Sequence, residues 1–208
     1  MTVCAAGGSK SSQGILWLVL FLTPRRAAAH SIPMPITQRR AVLLTALAAI
    51  VSVPLPLQAQ ARDVEARATA LNGQHPAAYY EAAAELFRAG QRDEATFLFY
   101  LGQLRYRTHL TARPNNPVDG DRALFASLND SFGRPMNEWA FGDIPALLRT
   151  IDAVLAYDAR LPDRFTPSAT FPSPTRDIRA GLSSMRDDVA RRAAEIRRER
   201  ASNGLPNR

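Results

Sequence analysis

The chain has one cysteine and one lysine, Cys4 and Lys10, and both lie close to its start. Whatever follows them can form no disulfide and offers no thiol nucleophile or thiolate metal site. An oxidising compartment would therefore do it no chemical harm. Long apolar runs are also lacking. Gly14 to Leu22 and Ala41 to Val53 are the two apolar stretches. The longer has about 13 residues, against the roughly 20 that a membrane-spanning helix needs. Glycine-rich phosphate loops, a G-x-S-x-G nucleophile elbow and the H-E-x-x-H zinc spacing are all missing. No segment alternates over the length of a strand.

What is present at the start reads as an export leader. Arg39-Arg40 precedes the second apolar run, Pro54 and Pro56 close it, and Ala59-Gln60-Ala61 supplies the small residues a signal peptidase needs. Cleavage is expected before Arg62, with translation starting at Met34 and residues 1–33 belonging to an over-extended frame. The pair of arginines also fits a twin-arginine signal, though the general secretory route is favoured. Membrane contact would arise only through an uncleaved signal segment.

Removing the leader changes the charge argument. The whole chain carries 26 basic and 19 acidic residues. Residues 62–208 keep 21 of the former and all 19 of the latter, leaving +2. That balance gives no reason to expect nucleic-acid binding. The arginines from Arg191 to Arg200 interleave with Asp187, Asp188, Glu195 and Glu199 at helical spacing, the pattern of a salt-bridged, solvated face.

Residues 62–208 read as one all-α domain of five or six helices. Arg62 to Leu71 forms a first helix, ended by Asn72-Gly73. Pro76 opens a second, where its missing N–H costs no bond, and Ala89-Gly90 stops it. Asp93 and Glu94 open a third that runs to about Leu110. Its stretch Phe97-Leu98-Phe99-Tyr100-Leu101 is apolar nearly all round, so it must be covered on several sides. Asp119 caps a helix to about Ser131, broken by Gly133-Arg134-Pro135. Asp143 caps Ile144 to about Ala159. Four prolines from Pro162 to Pro174 mark an extended crossing, and a last helix runs from Thr175 to about Ala201.

The segment from about Pro76 to Leu110 reads Tyr79, Ala82, Ala83, Leu86, Gly90, Ala95, Phe99, Gly102. This spacing resembles a single tetratricopeptide or Sel1-like repeat, with Ala95-x3-Phe99 matching outright. The closing proline is missing, with Arg107 near its place, and no second copy follows. The mature chain as a whole is similar to small secreted proteins of proteobacteria, a likeness that carries no activity.

The repeat resemblance implies a helical hairpin that binds a protein partner. The candidate partner-binding residues are Tyr80, Arg88, Arg105 and Arg107. Arginine and tyrosine are also types that dominate interface energetics. For Tyr80 and Phe87, packing in the core, on the first helix or on the helices after Pro117, is the favoured reading, since seven aromatics cluster between Tyr79 and Tyr106. His75 and His109 read as a helix-start residue and a helix-end residue. No catalytic residue, metal ligand or cofactor is expected. The function expected is an exported binding or scaffolding protein. The alternatives are an exported hydrolase without a recognisable motif, or an immunity or inhibitor protein.

Overall fold

The computed structural model describes residues 57–115 and 117–208. The expected leader, residues 34–61, therefore lies almost wholly outside the described residues. The first helix, α1 (Leu57–Ala70), begins within the leader's expected end, so cleavage before Arg62 would leave its last nine residues. Next come α2 (Ala77–Arg88), α3 (Arg92–Ala112), α4 (Ala123–Leu128), α5 (Arg134–Ala140), α6 (Ile144–Arg160), α7 (Pro172–Arg191) and α8 (Ala193–Ser202). Among the described residues there is no strand, and the chain folds as a single all-α domain.

The helix ends follow local chemistry. Gly90 takes φ +84°, a left-handed value that ends α2 and turns the chain into α3. Asp143 caps α6, its carboxylate accepting the Ala146 N–H at 3.0 Å. Pro172 and Pro174 sit in the first turn of α7, which starts three residues earlier than the sequence suggested. The expected last helix is interrupted at Arg192, which separates α7 from α8.

Helix α3 is the axis of the molecule. It packs against α1, α2, α5, α6 and α7, and 14 of its 21 residues are buried. The pairing with α2 is the most extensive and forms an antiparallel hairpin. Close approach is possible because Gly102 has no side chain. A Cβ there would lie 2.8 Å from the Tyr79 Cβ and 3.3 Å from the Tyr80 ring.

A further boundary differs from the sequence reading. Gly133-Arg134-Pro135 does not break the chain's helical course. A π turn (Asn129–Gly133) joins α4 to α5, and another (Val118–Arg122) precedes α4. The wider turn tolerates a proline at the second position of α5, where no ordinary i−4 bond is required of it. Residues 118–140 are thus one irregular helical arm laid along the hairpin.

Candidate functional site

Polar groups gather where the end of α3, the head of α2, the start of the arm and the loop after α6 meet. Three levels of contact hold them.

The innermost is Arg105, whose side chain is 1% exposed. Its Nε donates to Asp158 Oδ1 at 3.2 Å and its Nη2 to the Leu161 carbonyl at 2.8 Å. Its Nη1 donates to Tyr79 Oη and to Asn72 Oδ1. Asp163 lies 3.9 Å from the same guanidinium and accepts the backbone N–H groups of Phe165 and Thr166. Arg179 closes the outer side of Asp158 with bonds of 2.8 and 2.6 Å. Two arginines and two aspartates therefore balance in charge. Burial pushes the Tyr79 hydroxyl up to about 12, although the neighbouring Arg105 pulls the other way. Between Arg105, Thr108, Asp158, Asp163 and Thr175 remains a space of about 10 Å³, about the size of one water molecule.

The second level is Arg113, which follows α3. Its Nη1 lies 2.7 Å from His109 Nδ1 and 3.4 Å from Thr166 Oγ1.

The third level is a carboxylate shared by two imidazoles. Asp121 Oδ1 lies 3.2 Å from His75 Nε2, and Asp121 Oδ2 lies 2.7 Å from His109 Nε2. Phe165 packs on both rings, with centroid distances of 5.2 and 5.1 Å. The hydrogen bond from His109, and then the charges of both rings, hold the Asp121 carboxyl below the usual carboxylate range.

Two histidines and an aspartate are also a ligating set, with donor atoms within 4.8 Å of one another. The proton positions argue against that use. His75 Nδ1 faces the Ala77 N–H at 3.2 Å, and His109 Nδ1 faces the Arg113 guanidinium. Neither partner can accept a hydrogen bond, so both Nδ1 atoms are acceptors. With Nδ1 accepting, the Nε2 of each ring carries a proton aimed at Asp121. A metal on Nε2 requires the opposite tautomer, with Nδ1–H pointing at an acceptor. The rings also address different oxygens of one carboxylate. The same accounting bears on catalysis. Both imidazole lone pairs already accept an N–H, so neither ring presents a base to a substrate.

Compared with family models, curated proteins and solved structures, the chain matches none of them.

The residues expected to face a partner do not share a surface. Tyr80 is fully buried and its hydroxyl donates to Asn129 Oδ1 at 3.3 Å. Arg105 is interior, as described. Neither side chain is exposed in this fold: Tyr80 takes the core place, and Arg105 departs from the surface place expected of it. Arg105 is interior because α3 is enclosed on nearly every side, and Tyr80, on α2, is covered by Phe99 and Tyr106 of α3 and by Phe125 of the arm. Arg107 is half-buried beside the Phe125 ring, its centroid 5.3 Å away, and burial lowers its guanidinium to about 10. Arg88 is exposed at the end of α2. It lies by the hairpin turn, roughly 20 Å along α3 from Arg105 and Arg107.

The cluster at His75, His109 and Asp121 was not read from the sequence. The three residues are far apart along the chain and match no spacing. One local signal existed: His109 and Arg113 stand four apart on one helix end.

Proposed function

We propose that the protein is an exported helical binding or scaffolding protein, built on a tetratricopeptide or Sel1-like hairpin. Its partner surface is the outer side of the arm, not the hairpin residues Tyr80 and Arg105. The observation that carries this reading is the state of α4. Its sequence is Ala-Leu-Phe-Ala-Ser-Leu, yet it contains no buried residue, and Leu124 is 42% exposed. Phe125, Leu128 and Phe132 are only half-buried beside it. Leu124 is the one large apolar side chain exposed among the described residues, and Phe125, Leu128 and Phe132 pack on the core from the same arm.

Two further observations favour binding over an exported hydrolase. The buried polar cluster is balanced in charge and leaves room for about one water molecule. A second hollow, between α1 and the hairpin turn at Val64, Arg67, Leu86 and Glu94, measures about 160 Å³. Small-molecule sites are commonly some 300 Å³ or more. The hairpin reading is supported by Gly102 seated against Tyr79 and Tyr80, the small-against-large pairing the repeat pattern implies. Export rests on the sequence alone.

The test is capture of partners from a periplasmic extract by the mature chain and by Leu124→Asp. The substitution should abolish capture and leave the melting temperature within a degree or two of wild type. Equal capture by both proteins would refute the arm as the surface.

A further inference from the structure

Residues 203–208 return to the far end of the arm, where three arginines gather around one indole. Gly204 takes φ +72° and turns the chain back after α8. The Arg208 N–H then donates to the Gly142 carbonyl at 2.7 Å, and its Nη2 to the Trp139 carbonyl at 2.8 Å. Its guanidinium carbon lies 3.2 Å from the centroid of the Trp139 ring. Arg92, in the first turn of α3, lies 4.6 Å from the same centroid and 5.4 Å from that of Phe87. Arg200 is the inner member at 7% exposure, its Nη2 donating to the Glu138 and Pro206 carbonyls. Gly142 leaves room for two of them. A Cβ there would lie 3.1 Å from Arg208 Nε and 3.3 Å from Arg200 Nη2.

Among the described residues, none of these three arginines forms an ion pair with a carboxylate. Arg105, Arg179, Arg186 and Arg192 all do. Arg92 and Arg208 are both exposed, and so is Arg88, one residue beyond Phe87. Two carboxylates lie near. Asp93 accepts the Trp139 indole N–H at 3.0 Å, and Glu138 is exposed. Burial lowers the Arg200 guanidinium; Glu138 opposes this and Arg208 adds to it.

We infer that Trp139, Arg92 and Arg208 form a carboxylate-recognition site whose ligand is an acidic segment of a partner protein. The inference goes beyond the Leu124 surface and does not require it. Stacking on Trp139 and Phe87 holds the guanidinium planes, so less freedom is lost when they bind. Because both arginines are exposed, their N–H edges remain for a ligand. A carboxylate accepts two parallel N–H bonds from such an edge. Arg200 adds a fixed positive charge behind them, where water screens it poorly. Aspartate and glutamate side chains of a partner complement that charge, and a basic segment does not. Tryptophan and arginine are also the types that carry much of the binding energy at interfaces.

Trp139 is the only tryptophan of residues 57–208, so its fluorescence reports on its own site. A hexapeptide of alternating aspartate and glutamate, blocked at both ends, should change that emission saturably. Half-saturation is expected at or below about 1 mM at low ionic strength, and added salt should weaken it. Arg92→Gln with Arg208→Gln should raise half-saturation at least about tenfold, with the melting temperature within a degree or two of wild type. Arg92→Lys with Arg208→Lys keeps the charge but loses the stacked, two-pronged geometry, and should bind at least about threefold more weakly. Leu124→Asp should bind the peptide as wild type does, so loss of the arm surface and loss of this site are read separately. Absence of a saturable change would overturn the site, and so would a lysine variant equal to wild type. The carboxylate assignment is overturned if a lysine hexapeptide or inorganic phosphate produces the same change at the same concentration. Should the double variants fail to fold, Arg92→Gln alone decides, and half-saturation unmoved from wild type refutes the site.

Discussion

Arg105 sits among Leu101, Leu104 and Thr108 on a helix whose neighbours are nearly all buried, so its charge had to be met inside the protein. Asp158, Asp163, Asn72, Tyr79 and the Leu161 carbonyl meet it. Such a pair is weak evidence for stability in itself, because desolvation offsets much of the attraction. Removing one member is another matter. Arg105→Met leaves Asp163 and the inner oxygen of Asp158 without their cation, and should cost about 3–5 kcal/mol. Urea denaturation of residues 62–208 measures it. A loss below about 1 kcal/mol would mean that water reaches the two carboxylates.

At the level of elements, the hairpin and the arm should answer differently to truncation. Phe99 is fully buried in the hairpin and stacks edge-on with Tyr80 at 5.3 Å between centroids. Phe99→Ala should cost about 3–5 kcal/mol. Leu124→Ala on the arm should change stability by no more than about 0.5 kcal/mol. Paired thermal or urea melts test the contrast, and similar costs at the two sites would contradict the packing. The hairpin was legible because its cues are local: Pro76 at a helix start, Gly90 at a turn, small residues at helical spacing. The arm was legible only in part. Asp119 announced a helix, but Gly133-Arg134-Pro135 signalled a break where the chain continues. A π turn that carries a proline depends on what the turn packs against, and here Gly133 lies against Phe99.

For the whole molecule, the absence of lysine and cysteine after Arg62 leaves tyrosine as the main side chain titrating in mild alkali. Tyr79, Tyr80, Tyr100 and Tyr106 all have their hydroxyls raised, chiefly by burial. A group raised in the folded state stabilises fully below its unfolded value and loses that contribution as the pH climbs through the folded one. Unfolded tyrosine ionises near pH 10. Stability should therefore fall above about pH 10, because the unfolded chain releases tyrosine protons that the folded chain still holds. Tyrosinate absorbance and helical circular dichroism should then change together, in one transition. Most tyrosines ionising near pH 10 with the helical signal intact would show them exposed.

The sequence by itself determined the all-helical class, the hairpin, the Asp143 cap and the absence of any cysteine after Cys4. Each of these depends on residues close together in the chain, where backbone preference and periodicity act directly. Tertiary structure decided which polar residues are interior. Tyr80 and Arg105 are residue types common at interfaces, but Arg105 lies on α3, which five helices enclose, and Tyr80 of α2 is covered by α3 and the arm. It also decided that His75, His109 and Asp121 meet. No spacing encodes that meeting, because it follows from how the arm returns across the hairpin. The proton positions of the cluster then follow from two N–H groups, one on the backbone and one on Arg113, that only the folded chain brings to the rings.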